Sequence, residues 1–336
     1  MMRRIVKILV MLLVVTSLCG MSVFAVQGAE FLDFLTGGEG RVEGSGAETK
    51  EDAVRIYIEG LVEQNVPKML SACAVETYAK NYRLDRQIDN IGNINFLQSG
   101  YLPNNGDFSF QLNVENRREQ LVKMIRYQYL TMTKSKAQTA ETITMEGYDS
   151  GADMVADMFG EENLEIRFDG DIFPGCLIIG RILSYSGLDP MGFTAYIDGA
   201  ERIDCMAALL WVNEELYYLT LGVERYDGKW YVTPFNHLAN LIGLDYYCGG
   251  MQMVAGDIDV SPEEYREGLD SILHDEELNT VLGKVDQALD SLDIEAIFSS
   301  TPREIWGITY EDAYDAAFAE YLSPDELAFF EALRQS

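Results

Sequence analysis

Histidine and basic residues are scarce in this sequence. Of its 336 residues only two are histidines, and 25 lysines and arginines stand against 55 aspartates and glutamates, for a formal net charge of −30. Phosphate backbones repel a protein of this charge, so we expect no nucleic-acid partner. An anionic membrane surface would repel it as well. The acidity is more typical of a charge that keeps an exported protein soluble than of one specific cationic partner.

The short motifs of common catalytic and metal sites are also missing. Neither His237 nor His274 has a second ligand at the HExxH spacing, and there is no G-x-S-x-G elbow and no Walker loop. The acidic stretches do not have the D-x-D-x-D-G spacing of a calcium loop. Motifs therefore predict no catalytic residue, no cofactor and no metal site.

Cysteine is present, but not in metal-binding pairs. Five occur, and the four beyond the first residues are too far apart for a CxxC site: Cys73, Cys176, Cys205 and Cys248. Four cysteines allow three disulfide pairings, which the sequence does not distinguish. Cys176 and Cys205 lie in apolar runs, which favours buried free thiols there.

Long apolar runs are absent beyond the first 25 residues. Those residues have a basic start, an apolar stretch and the small-residue ending Val23-Phe24-Ala25, the pattern of a secretory signal. We predict a signal peptide over 1–25, cut after Ala25 or alternatively after Ala29. The mature protein is then secreted or held at the extracellular face of the cell envelope.

Two alternatives keep the N-terminal segment on the protein. Cys19 would carry lipid in a lipoprotein, although Leu18 before it departs from the usual lipoprotein site. The segment would otherwise stay as an uncleaved anchor, for which it is short. Membrane contact is expected only through this segment, if it is uncleaved or lipidated.

The sequence beyond this segment has a helix–sheet–helix order. Residues 26–48 are Gly-rich and predict a flexible linker. Thr49 and Asp52 form a capping pair ahead of an apolar helical face that includes Tyr57. Further helices are predicted over 67–82 and 116–133.

A strand-rich part follows the helices. Short apolar runs at 164–168, 176–183 and 192–198 predict strands, and three longer runs predict a meander over 203–212, 215–226 and 229–235. Asp227-Gly228 is a strong hairpin signal between the last two strands. Strand alternation puts Trp230 and Val232 on one face and Tyr231 and Thr233 on the other. We expect only the first pair to meet the helices.

The remaining part, residues 261–336, is predicted to be all helical. Three helix-start signals of one type support this, at Ser261, Thr301 and Ser323.

Two stretches resemble a known group of domains. TKEDAVRIYIEGLVEQNVPKMLSACA is similar to the opening of bacterial secreted domains with the nuclear-transport-factor-2-like, or cystatin-like, fold, and DGKWYV is similar to their last hairpin. The matching residues are Ala53, Val54, Tyr57, Asp227, Gly228, Lys229, Trp230 and Val232. The resemblance implies a domain over 49–245 with a long insertion near 85–165. The expected fold is α+β, with N-terminal helices packed on a curved antiparallel sheet and a C-terminal all-helical segment.

The resemblance implies a cone-shaped cavity between the first helix and the sheet. Its predicted lining is Tyr57, Trp211, Tyr218 and Trp230. The favoured function is a non-catalytic module that binds a small apolar ligand, a peptide or a protein. The alternative is an isomerase- or dehydratase-type enzyme that uses a cavity carboxylate and a tyrosine. Within the predicted strands, Asp204 and Glu224 are the positions that we name for this carboxylate, although solvated carboxylates at strand edges or turns fit the sequence better.

Overall fold

The computed structural model describes residues 42–91, 101–133, 149–150, 164–175, 190–233, 251–253 and 261–335. The predictions for the signal peptide, Cys19, residues 26–41, the strand at 176–183, His237, Cys176 and Cys248 lie outside these ranges. Cys73 is a buried free thiol, and Cys205 is buried as well. Within the described ranges no helix combines the length and apolar character that a bilayer crossing requires.

Helices precede the sheet, as predicted, but their number and boundaries differ from the prediction. They are α1 Lys50–Val62, α2 Val66–Ser71, α3 Glu76–Asn81, α4 Leu84–Ile91 and α5 Asp107–Thr133. The Thr49 hydroxyl caps α1 by accepting from the Asp52 amide at 3.1 Å. The single helix predicted over 67–82 is wrong. It is broken at Ala72, whose carbonyl accepts from the Val232 amide of the sheet at 2.8 Å.

The sheet is antiparallel and follows the predicted meander. Its strands are β1 Ile166–Pro174, β2 Arg202–Val212, β3 Glu215–Tyr226, β4 Lys229–Thr233 and β5 Met251–Met253. The order is β1-β2-β3-β4, and β5 pairs with the first part of β3. Asn213-Glu214 and Asp227-Gly228 have positive φ at both positions, as tight hairpin turns require.

Residues 192–198 do not form the predicted strand. They belong to helix α6, Pro190–Asp198. Aromatic and β-branched residues gave this run its strand propensity, which is a weak preference that packing overrides. Pro190 opens the helix, and Gly199, with φ +67°, ends it in the left-handed conformation.

Helices cover both faces of the sheet. One face, which we call the first face, packs on α1, α2 and α5. Its buried residues are Met206, Ala208, Leu210, Tyr217, Leu219, Leu221, Val223, Trp230 and Val232. The second face carries Ala207, Leu209, Leu216, Tyr226 and Tyr231. Trp230 and Val232 therefore face the helices as expected, but Tyr231 and Thr233 are buried as well. The expectation that only one pair meets helices is wrong, because helices from before and after the sheet in the chain contact the second face.

The C-terminal region is helical, as predicted, and it docks on the second face. Its helices are α7 Pro262–Leu273, α8 Glu276–Asp290, α9 Ile294–Ser299, α10 Trp306–Tyr321 and α11 Pro324–Gln335. Ser261 forms a full capping box with Glu264. Thr301 does not cap α10, which follows a short 3₁₀ turn, Arg303–Ile305. Leu269 packs with Phe173 of β1.

The last part of the predicted linker is packed against the domain. Ala47 and Trp230 exchange both backbone hydrogen bonds, at 2.9 and 2.8 Å. The buried Glu43 carboxylate accepts from the amides of Val75 and Thr77 at 2.6 and 2.9 Å, at the start of α3. Glycine content predicted flexibility here, but a buried carboxylate and a backbone pair hold residues 42–48 on the fold. Residues just before Thr49 therefore pack on the fold as well.

Candidate functional site

The four predicted cavity residues lie in two separate places. Tyr57 and Trp230 are buried in the core of the first face. The Tyr57 hydroxyl donates to Gln128 Oε1 at 2.6 Å. Trp211 and Tyr218 pack on the second face, where Trp211 Nε1 donates to Asp169 at 3.1 Å. The sheet separates the two pairs, so the structure does not bring the four side chains together.

The space beside Trp230 is filled. The indole is 6% exposed, and the guanidinium carbons of Arg202 and Arg225 lie 5.7 and 5.4 Å from its ring centroid. A surface cleft of about 260 Å³ lies elsewhere, between β1, α1 and the α7–α8 connection. Its lining includes Arg55, Asp171 and His274, and it includes none of the four predicted residues.

The two strand carboxylates have different surroundings. Asp204 Oδ2 lies 2.7 Å from Lys50 Nζ and 2.7 Å from the Arg202 guanidinium. Both cations also reach Asp286 of α8 at 2.5 Å. Asp204 is thus part of an ion-pair network that joins α1 and β2 to the C-terminal helices. Of the two strand carboxylates, Glu224 lies in an enclosed polar site.

Glu224 projects from β3 on the second face and is 2% exposed. Its carboxylate accepts from the Thr233 hydroxyl at 2.7 Å and from the Tyr226 hydroxyl at 2.8 Å. The Arg117 guanidinium of α5 lies 3.4 Å away. Asp198, the last residue of α6, is 1% exposed, and the Tyr226 hydroxyl that donates to Glu224 lies 3.4 Å from its backbone carbonyl oxygen. Two buried carboxyl groups and the Arg117 guanidinium therefore lie in one region of the described structure.

Arg117 is held by groups from several elements. Its Nε donates to the Ala74 carbonyl at 3.1 Å and its Nη2 to the Thr233 hydroxyl at 2.5 Å. Its guanidinium carbon lies 3.5 Å from the centroid of the Tyr78 ring, within the range of a cation–π contact. Tyr78 in turn donates its hydroxyl to Asp198 Oδ1 at 2.8 Å. We call the set the buried polar cluster: Tyr78, Arg117, Asp198, Glu224, Tyr226 and Thr233.

Burial dominates the electrostatics of this cluster. It raises the pKa of Glu224 to about 7 and that of Asp198 to about 6, and the Arg117 charge opposes both shifts. The pKa values of Tyr78 and Tyr226 are raised well above their usual range for the same reason. Near neutral pH the tyrosines are therefore neutral, and the two carboxyls titrate as one coupled pair.

Sequence reasoning identified Glu224 but missed its partners. Arg117 lies at helical spacing between the buried Val114 and Leu121, so a charged residue on an apolar stripe was the available signal. Asp198 had no such signal, because its run was taken for a strand. Its position depends on the end of α6 at Gly199.

A substitution at Gly199 tests whether its positive φ and its close contact with Asn81 fix the C-terminal end of α6. A Cβ at Gly199 would lie 2.4 Å from the Asn81 carbonyl oxygen, and its φ is +67°. We expect Gly199→Ala to lower the free energy of unfolding by about 2–4 kcal/mol, from left-handed strain plus the backbone clash. Urea denaturation measures this loss.

The matched control is Gly228→Ala. Gly228 has φ +72°, but a Cβ there would meet nothing within 4 Å. Only the strain remains, so the expected loss is about 1–2 kcal/mol. Equal losses in the two variants would show that the contact with Asn81 does not constrain α6.

Comparison with known proteins gives limited similarity. No family model matches the sequence, and no curated protein matches it. Among solved structures, the chain is similar to a cystatin-like protein from Ruminococcus gnavus ATCC 29149. That match has 12% identity and a TM-score of 0.39, and it covers 85% of this chain and 73% of the other.

Proposed function

We propose that this protein is an exported, non-catalytic binding or interaction module that acts in the cell envelope or outside the cell. The observation that carries the proposal is the enclosure of its acid–base groups. Glu224 and Asp198 are 2% and 1% exposed, and the side chains around them satisfy their oxygens. A substrate has no contact with either carboxyl while the cluster is closed.

The filled core favours a peptide or protein partner over a small apolar ligand. Tyr57 and Trp230, which the cavity hypothesis requires at an open space, are 0% and 6% exposed. Backbone pairing between Ala47 and Trp230 closes the edge of β4 beside them. A partner then binds to the outer surface of the helices or loops.

Carbodiimide labelling tests the enclosure directly. A water-soluble carbodiimide with an amine nucleophile couples to accessible carboxyls, and peptide mass spectrometry locates the product. We expect Glu224 and Asp198 to stay unlabelled in the folded protein at pH 6. The control is Glu119, whose side chain is 64% exposed and should react.

One observation favours the enzyme alternative. The Tyr226 hydroxyl lies 2.8 Å from Glu224, whose pKa is raised towards neutrality, and such a pair is suited to proton transfer in an isomerase or dehydratase. Rapid labelling of Glu224 in the folded protein would support this alternative and would contradict the non-catalytic proposal.

Export is tested by the intact mass of the protein recovered outside the cytoplasm. We expect a chain that begins after Ala25 and carries no lipid, because residues 1–25 have the order of a cleaved signal. Cys19→Ala should leave this processing unchanged. If the variant instead blocks maturation, the lipoprotein alternative is correct. Full-length protein confined to the cytoplasm would contradict export.

A further inference from the structure

The surface cleft between β1, α1 and the α7–α8 connection has no role in the proposed function. Its volume is about 260 Å³, and its lining residues come from these three parts of the chain and the start of α8. This volume lies just below the range of about 300–1,000 Å³ that is typical of sites for drug-sized ligands. The cleft therefore suits a ligand of the size of one amino acid.

A bulge in β1 forms one side of the cleft. Between Phe168 and Ile172 the pairing with β2 shifts its register, so residues 169–171 of β1 stand opposite a single residue of β2. Gly170 has φ +109°, which residues with a side chain rarely adopt. Asp171 leaves the ladder in this bulge and lines the cleft. Bulges are common where a strand presents a side chain to a functional site.

The α7–α8 connection forms another side, and local hydrogen bonds hold it in place. The Asp275 carboxylate caps α8 by accepting from the Leu278 amide at 2.9 Å. The Asn279 side chain donates to the Leu273 carbonyl at 2.7 Å. These contacts form without a ligand, so binding does not have to order this wall first.

Charged side chains of both signs line the cleft without ion pairs of their own. Glu51 and Arg55, one turn apart on α1, and Asp171 of β1 are among its lining residues. None of the three side chains makes an ion pair or a hydrogen bond with the part of the chain that the structure describes. His274 also lines the cleft, but its Nδ1 lies 3.3 Å from an Asp270 carboxylate oxygen. One guanidinium and two carboxylates are therefore available to a ligand here.

Half of the lining residues are apolar: Ile172, Phe173, Pro174, Leu273, Leu278 and Leu282. Phe173 and Leu278 are buried, whereas Ile172, Leu273 and Leu282 are only half-buried. Apolar surface that is still exposed gains free energy when an apolar group of a ligand covers it. The lining therefore suits an apolar side chain beside the charged groups.

We propose that this cleft binds a free α-amino acid with an apolar side chain. Arg55 binds the carboxylate, to which a guanidinium offers two parallel donors. Asp171 and Glu51 bind the ammonium group, and the half-buried apolar residues contact the side chain. This site goes beyond the proposed function, which concerns a peptide or protein partner.

The charge of the protein favours a zwitterion over a simple anion. At a net charge of −30 the protein repels anions, and two of the three unpaired groups at the cleft are acids. A zwitterion has no net charge to be repelled, and it offers a partner to both signs. The end of a peptide carries only one of the two charges, so it leaves either Arg55 or the acids without a counterpart.

Titration of the purified protein with L-leucine, followed through its ¹H–¹⁵N NMR signals, tests the proposal. We expect saturable shifts of the Gly170 and Asn279 amides, with a Kd below about 1 mM. N-acetyl-leucine lacks the ammonium group and leucinamide lacks the carboxylate. Each should bind at least about tenfold more weakly, because each loses a charge-assisted contact. If leucine does not bind saturably, or if either analogue binds as tightly as leucine, the proposal is wrong.

Two variants assign the charged contacts. Arg55→Gln and Asp171→Asn should each weaken leucine binding by about tenfold or more. The matched controls are Arg126→Gln on α5 and Asp312→Asn on α10, which are exposed residues outside the cleft and should keep the wild-type affinity. Wild-type affinity in both cleft variants, or equal weakening in the controls, would overturn the proposal. The carbodiimide and export tests do not depend on leucine, so failure of this site is distinguishable from failure of the proposed function.

Discussion

Arg117→Ala is expected to lower the free energy of unfolding by about 3–5 kcal/mol at pH 8. The substitution removes the cation from beside the buried Glu224 carboxylate. It also empties the space over the Tyr78 ring. Chemical denaturation followed by circular dichroism measures the loss.

The loss should be smaller at pH 5 than at pH 8. At pH 5 both carboxyls bind protons, since burial raises the pKa of each, so no net negative charge is left behind. The matched control is Arg126→Ala on the exposed side of the same helix, which should change stability by less than about 0.5 kcal/mol. Equal effects of Arg117→Ala at both pH values would show that its contribution is packing alone.

Phe298→Ala is expected to cost about 3–5 kcal/mol, because it removes the centre of an aromatic group between α6 and the C-terminal helices. Phe298 is 1% exposed, and its ring centroid lies 5.6 Å from those of Trp306 and Tyr310. The truncation leaves a cavity at the contact where α9 and α10 meet the domain. Limited proteolysis should then cut first within residues 261–335.

The control for this substitution is Phe108→Ala at the start of α5. Phe108 is 74% exposed, so its truncation should stay within about 0.5 kcal/mol of the wild type. If Phe298→Ala unfolds in one transition and its proteolysis pattern is unchanged, the C-terminal helices do not depend on this contact for docking.

The features that the sequence predicted correctly depend on neighbouring residues. The Thr49 cap needs only Asp52, and the turn at Asp227-Gly228 needs only two residues that accept positive φ. The capping box at Ser261 is complete within four residues. Such signals work because the hydrogen bonds and backbone angles that they require are local.

The predictions that were wrong concern features that depend on residues far away in the chain. Residues 192–198 are strand formers by composition, but packing with the C-terminal aromatics and the stop at Gly199 make them a helix. The helix predicted over 67–82 breaks where the Ala72 carbonyl binds β4. Residues 42–48 have the composition of a linker, but the Glu43 carboxylate binds the start of α3.

The candidate site shows the same division. Sequence alone determined that Glu224 lies in a strand of a meander, and it determined the charge balance, the scarcity of histidine and the order of helices and strands. Only the tertiary structure decided that Glu224 lies beside Arg117, in a region that also holds Asp198 and is closed to solvent. The reason is that burial and the identity of a charge partner are set by segments that meet only when the chain has folded.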